Sequence, residues 1–245
     1  MARTRGKDSP ERSKGPHGKV RPREVFVFTE GKVTEPQFFR YVHKHGKREP
    51  GREVTYFLEN ATAPSADRKP LTLVEAAIAK IRPVERAARK AGLRKGDDDG
   101  KGRDWNWPQV WCLFDRDSHE DIPRAFADAH RAGVQVAFSH PCFELWRLLH
   151  YQNYTGRFGE ERCGGAAERL RGQQGFAQTY GPTIKTVSRE LAKHVMPGQI
   201  EGRYERARRF AQRLNEQHSH PDQTHWDPYT DVWRFIEDGL LVTSY

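Results

Sequence analysis

The chain has 245 residues, enough for one large domain or two small ones, and no apolar run approaches the ~20 residues that span a bilayer. Lysine and arginine (42) outnumber aspartate and glutamate (33), a formal net charge of +9. That excess favours a polyanionic partner, most simply nucleic acid.

In chain order, residues 1–23 carry eight Lys or Arg side chains among Gly, Ser and Pro. Such a segment has little to bury and is expected to be a disordered basic tail. It either binds phosphates without regard to sequence or is simply solvated. It lacks the apolar core of a signal peptide, so a cytoplasmic location is expected. The three cysteines, Cys112, Cys142 and Cys163, form no C-x-x-C pair. Neither a disulfide framework nor a zinc knuckle is suggested.

Val25 to Phe28 is a short β-branched and aromatic run, the pattern of a buried strand. It stops at Thr29-Glu30-Gly31, where glycine permits a tight turn. Thr34-Glu35-Pro36-Gln37 has the form of a capping box with Pro in the first turn, so a helix is expected there, with Phe38, Phe39 and Val42 inward. Val54 to Leu58 reads as a second strand. A helix from the Thr72–Glu75 capping box to Ala91 follows, with Pro83 expected to kink or split it. The charged stretch Leu93 to Pro108, with Asp97-Asp98-Asp99, reads as a loop.

Val110 to Phe114 is the third strand and ends in Asp115-Arg116-Asp117; a helix from Asp121 to Gly133 and a fourth strand, Val134 to Phe138, come next. Cys142 to His150 reads as a helix containing Glu144. Strands and helices alternate, which predicts an α/β fold with a mostly parallel four-stranded sheet and helices on both faces over 24–150. Beyond Tyr151 the strand signal fades. Helical segments are expected near Ala166–Arg171, Val187–Val195, Ile200–Leu214 and Pro228–Glu237, giving a helical extension over 151–245 packed on the α/β core.

Ligands in open α/β sheets gather at the carboxyl ends of strands, and three strand ends here carry acids: Glu30, the pair Asp115 and Asp117, and Glu144 just beyond the fourth. If the chain stays extended, Asp115 and Asp117 point to one side. If the first and third strands are neighbours, ~4.8 Å apart, Glu30 joins them. Like charges ~4 Å apart repel by ~4 kcal/mol even at an effective dielectric of 20. A cluster of this kind needs a shared proton, a basic partner or a metal ion. Oxygen-only ligands suit Mg²⁺ or Mn²⁺, and two such ions can drive phosphodiester cleavage. Glu35 is a further candidate ligand, or an acid favoured by the helix dipole. For the aspartates the competing reading is turn and cap chemistry. Lys32 in the turn and the row Arg206, Arg209 and Arg213 are candidate nucleic-acid contacts, or solvated side chains.

T-E-G-x-x-T-E at Thr29 to Glu35, D-R-D at Asp115 to Asp117, S-H-P-C-F-E-L-W at Ser139 to Trp146 and L-L-H at Leu148 to His150 together resemble the RloB-like family. The resemblance covers most of the chain from about Val25, and D-P-Y-T-D-V at Asp227 to Val232 looks like that family's closing N-P-x-T motif. The family is similar to Toprim-fold proteins, in which a Glu after the first strand and a D-x-D after a later one bind Mg²⁺ for phosphodiester chemistry. The resemblance therefore implies a Toprim-like nuclease with Glu30, Asp115 and Asp117 as catalytic acids. It adds Glu35, which resembles the second acid of the E-G-x-x-x-E pattern in the overcoming-lysogenisation-defect type of Toprim nuclease, and Glu144, which matches the F-E-L-W acid. It further implies a place in restriction-linked or abortive phage defence, with an AAA-type ATPase as partner. One departure is His140, where the family usually has Asn. The alternative from another class is a non-catalytic nucleic-acid-binding or regulatory subunit whose acids only stabilise strand ends.

Overall fold

The structure is a computed structural model that describes residues 21–96 and 102–245. Most of the basic tail, and the Asp97-Asp98-Asp99 run, lie outside the described residues. A five-stranded sheet runs in the order β2-β1-β3-β4-β5. Its strands are β1 (Arg23–Thr29), β2 (Val54–Leu58), β3 (Gln109–Asp115), β4 (Gln135–His140) and β5 (Tyr229–Thr230). The first four are parallel, and β5 adds antiparallel to the edge of β4.

Alternation along β1 and β3 divides the core in two. Val25, Val27, Trp111 and Leu113 face one side, where they meet Phe38, Phe39 and Val42 of α1 (Thr34–His45). Leu145, Trp146 and Leu149 of α4 (Phe143–Leu149) join the same cluster. Phe26, Phe28, Val110, Cys112 and Phe114 face the other side, against α2 (Pro70–Lys90) and α3 (Ile122–Ala132). Strands covered on both faces need apolar side chains at every position, which is why β1 and β3 read as continuous runs. Each large side chain buried here contributes roughly 1.5–3 kcal/mol.

Several sequence expectations change. Helix α2 starts at Pro70 and stays one element through Pro83. Pro83 and the preceding-turn Ala79 are both exposed, so the carbonyl left without its N–H partner faces solvent. Thr34 is the first residue of α1 rather than its cap. Val33 takes that place without a side-chain cap bond. The expected basic tail also ends before Arg23, which opens β1 and is buried, donating to the Trp105 and Asp238 carbonyls.

The C-terminal region holds a strand after all. The helix expected from Pro228 is instead β5 followed by α9 (Val232–Arg234) and a π-helical turn at Phe235–Gly239. Asp231 extends the pairing: Phe138 N–H donates to its Oδ1 at 2.7 Å, and its own N–H donates to the Phe138 carbonyl at 3.1 Å. The remaining helices are α5 (Arg162–Arg171), α6 (Arg189–Ala192), α7 (Pro197–Ile200) and α8 (Tyr204–Asn215). The expected segment Ile200–Leu214 is split at Gly202, whose φ of 67° needs a residue without Cβ strain. Tyr204, Ala207, Ala211 and Leu214 of α8 are buried in the cluster that α1 and α4 share. No helix among the described residues is long and apolar enough to cross a membrane.

Candidate metal centre

Sheet order determines where the site lies. From β1 the chain goes outward to β2, then crosses back to place β3 on the other side of β1. The seam between β1 and β3 is therefore a topological switch point, and the crevice beyond the strands' carboxyl ends is the usual ligand position. Thr29 pairs with Leu113 across this seam. Glu30 leaves β1 there, and Asp115 ends β3 beside it.

Glu30 is fixed from both sides. Its Oε2 accepts the backbone N–H of Asp115 at 2.9 Å, and its Oε1 lies 2.9 Å from Nε2 of His119. The hydrogen bond to Glu30 pulls the His119 imidazole above its ordinary pKa, against the opposing effect of burial. Glu35 turns back along the first turn of α1, and its Oε1 accepts the Gly31 N–H at 2.9 Å. Glu35 can hold this place only beside a glycine: a Cβ at position 31 would stand 1.8 Å from Glu35 Oε2.

Two buried side chains hold this turn from below. Asn60 brackets Thr29, accepting its N–H at 3.1 Å and donating to its carbonyl at 2.8 Å. Arg68 is 3% exposed and donates to the carbonyls of Thr29 and Gly31 at 3.0 and 3.1 Å, and to those of Asn60, Ala61 and Ala63. The charges of Arg68 and Glu35 attract one another.

The fourth acid arrives on α4. Phe143 is the first residue of that helix, and its backbone N–H favours the charged form of the Asp115 carboxylate. Glu144 follows and adds its charge to the site. Burial, then the charges of Glu30, Glu35 and Glu144, push the Asp115 carboxyl well above the usual carboxylate range. Burial, with Glu144 and Glu30, raises Glu35 to about 7. Glu30, Glu35, Asp115 and Glu144 thus act on one another electrostatically, with Arg68 beside Glu35 and His119 on Glu30 as the nearby basic groups, and the crowding favours a proton on Asp115 and on Glu35.

Asp117 is placed differently. Strand β3 ends at Asp115, and the chain turns at Asp117 with φ 29°. The extended-strand reasoning for the pair does not apply. Asp117 is exposed on the rim, where its N–H donates to the Pro141 carbonyl and its charge reaches His119. Lys32 is exposed in the turn. Arg206 is half-buried and donates to the His150 carbonyl, so it is drawn away from Arg209 and Arg213, which stay exposed on α8. His140 ends β4 ahead of a cis bond to Pro141, and burial lowers its pKa.

Cys142 and Cys163 form a disulfide, with Cα atoms 5.4 Å apart. This corrects the reading from spacing. The fold, not the 21-residue separation, brings the start of α5 against the start of α4. Among the described residues, the set of three His, Cys, Asp or Glu ligand atoms lying within 4.8 Å of one another is Cys142, Glu144 and Cys163. The paired sulfurs are not free ligands. Among the described residues, no three of the carboxylates Glu30, Glu35, Asp115 and Glu144 bring oxygens within 4.8 Å of one another. That suits Mg²⁺, which keeps several of its waters and takes only one or two carboxylates directly. The oxygen-only donor set, and carboxylates whose mutual repulsion favours a proton on Asp115 and Glu35 when no cation is bound, both fit such a hydrated hard cation.

An open, mostly parallel α/β sheet with acids gathered at its switch point defines the class of protein. The chain belongs to the RloB-like protein family, whose sequence model matches residues 25–238. No curated protein and no solved structure matches the chain.

Proposed function

We propose that this protein is a divalent-metal-dependent, Toprim-type nuclease that hydrolyses phosphodiester bonds of DNA or RNA in antiphage defence. The reading is supported by one relationship at the switch point: Glu30 reaches across the β1–β3 seam to the Asp115 N–H while Glu35 folds back on Gly31, and the charges of Glu30, Glu35 and Glu144 all act on Asp115. Restriction-linked or abortive defence is the setting suggested by the family resemblance, with an AAA-type ATPase as partner.

Glu30, Asp115 and Glu144 would hold Mg²⁺ or Mn²⁺, one or two of them directly and the rest through its waters, with Glu35 nearby and Asp117 at the rim. When bound, the ion supplies Lewis-acid activation of water and stabilisation of the leaving oxygen. His119 and the Asp115 N–H aim both oxygens of Glu30. Arg68 and Asn60 keep the turn that carries Glu30 and Glu35 from shifting. The exposed Arg209, Arg213 and Lys32 are candidate partners for the nucleic-acid backbone.

A cleavage panel tests this directly. Single- and double-stranded DNA and RNA are incubated with the protein and Mg²⁺ or Mn²⁺. Cutting should vanish in EDTA and in Asp115→Asn, with the variant still folded by circular dichroism. Undiminished cutting in EDTA would remove the metal mechanism. The second reading, a non-catalytic nucleic-acid-binding subunit, is favoured by the finding that, among the described residues, no three of these carboxylates bring oxygens within 4.8 Å of one another. Binding that is salt-dependent, needs no metal and yields no cleavage would support it.

A further inference from the structure

Behind Glu144, on the side away from the sheet, α4, α5 and α6 enclose a cavity of about 70 Å³. One water needs roughly 10–15 Å³ of such space, so there is room for a small tetrahedral ion. Its walls carry Arg147, Arg171, Arg189 and Lys193, with Glu144 as the one acid and Cys163 beside it. Four cations facing one carboxylate is an unusual lining for so small a space.

Arg147 is the informative residue. It is 1% exposed. Its Nη1 donates to the Ala192 carbonyl at 2.7 Å and its Nη2 to Gln199 Oε1 at 2.8 Å. Its Nε–H is buried and has no partner among the described residues. An unpaired buried donor on a permanent cation is costly and calls for an acceptor. Its guanidinium carbon lies 5.8 Å from the centre of the buried Phe176 ring, which holds the group in place without supplying an acceptor for Nε. Arg171 is half-buried, with its Nε and Nη1 only loosely bonded to the Ala167 and Val187 carbonyls at 3.3 and 3.4 Å. Arg189 and Lys193 are exposed at the mouth, Lys193 being paired with Glu190 at 2.9 Å.

We infer that this cavity is a binding site for a phosphate monoester, with Arg147 as its deepest donor. A diester, substituted on two oxygens, would need an open groove. A monoester presents three free oxygens to an enclosed cradle and has only one substituent to leave through the mouth. The dianion would match the excess of cations. The inference deepens the nuclease reading, because Glu144 borders both volumes and a strand end held here would lie beside the acids. It does not require that cleavage occur.

The test is calorimetric titration with inorganic phosphate in EDTA at fixed ionic strength, with chloride as control. Parallel titrations use a dinucleotide carrying a terminal phosphate and the same dinucleotide without it. Saturable one-to-one phosphate binding is expected. Arg147→Met should weaken it about tenfold or more, the low end for a lost charged hydrogen bond. Because Arg147 is buried, the surface double variant Arg189→Gln/Lys193→Gln is run beside it and should weaken binding roughly threefold. Asp115→Asn should bind phosphate as wild type does, which separates this site from the catalytic reading. A phosphorylated dinucleotide that binds better than its unphosphorylated twin assigns a nucleic-acid end as the source; binding of inorganic phosphate alone assigns free phosphate. Phosphate binding no stronger than the chloride control, or unchanged in both the Arg147 and the surface variants, would overturn the inference.

Discussion

Glu30 Oε2 accepts the backbone N–H of Asp115 at 2.9 Å, joining two strand ends that are 85 residues apart in the chain. This contact makes the first acid part of the third strand's terminus and sets the geometry of everything around it. Replacing Glu30 with Gln keeps an acceptor oxygen for that N–H. Glu30→Gln should therefore fold with a stability within about 1 kcal/mol of wild type while losing metal-dependent cleavage. Glu30→Ala should lose both, as seen in urea unfolding beside the cleavage assay.

Gly31 is tied to Glu35 by contact rather than by backbone strain. A methyl group there would meet the Glu35 carboxylate at 1.8 Å. Gly31→Ala should drive that carboxylate out of the turn and reduce cleavage by about tenfold or more, the scale of one lost charged hydrogen bond. The double variant Gly31→Ala/Glu35→Ala should recover stability but not activity. Thermal unfolding of the two proteins side by side checks this.

Arg68 and Asn60 are expected to act on stability first. Asn60→Ala removes both bonds that bracket Thr29 and should cost about 1–3 kcal/mol. Arg68→Met empties a site where one guanidinium serves five carbonyls, so its cost should be at the top of that range or above. Urea midpoints at constant slope measure both.

His150 supplies an acid-side dependence away from the site. It is fully buried between the Trp146 carbonyl and the Tyr245 hydroxyl, and burial lowers its pKa from 6.5 to about 3. The unfolded chain then takes up a proton at a pH where the folded one does not. The stability is fully present above about 6.5 and falls as pH drops toward 3. Between pH 7 and 4 the loss from this group should be roughly 3 kcal/mol. In His150→Phe the unfolding free energy should decline less steeply over that window.

Much of the frame was legible in the chain. The run Val25 to Phe28, the Gly31 turn and the apolar face of α1 follow from local pattern, and so does the doubly covered strand β3. The sheet's fifth strand was not legible, because two residues, Tyr229 and Thr230, carry no period; their pairing is decided by the Asp231 side chain reaching Phe138. Sequence placed Glu30, Asp115 and Glu144 at strand ends and Glu35 one turn along from Glu30, and in the fold the charges of Glu30, Glu35 and Glu144 all act on Asp115. It could not show that Asp117 turns outward, since that depends on β3 stopping at Asp115. His119, Asn60 and Arg68 carry no sequence signal for a related reason. Each acts through a partner 31 to 89 residues away, and no local motif announces such a bond. The Cys142–Cys163 pairing is likewise a product of how α5 meets α4.

The central claim is that acids from separate strand ends share a divalent ion, and calorimetric titration of Mg²⁺ and Mn²⁺ into wild type and Asp115→Asn tests it most directly. Wild type should bind the ion, with binding at least about tenfold weaker in the variant. The metal-free variant should be the more stable of the two at pH 8, because one buried negative charge has been removed from beside Glu30, Glu35 and Glu144. Equal metal binding by the two proteins, or none by either, would contradict a shared-ion site.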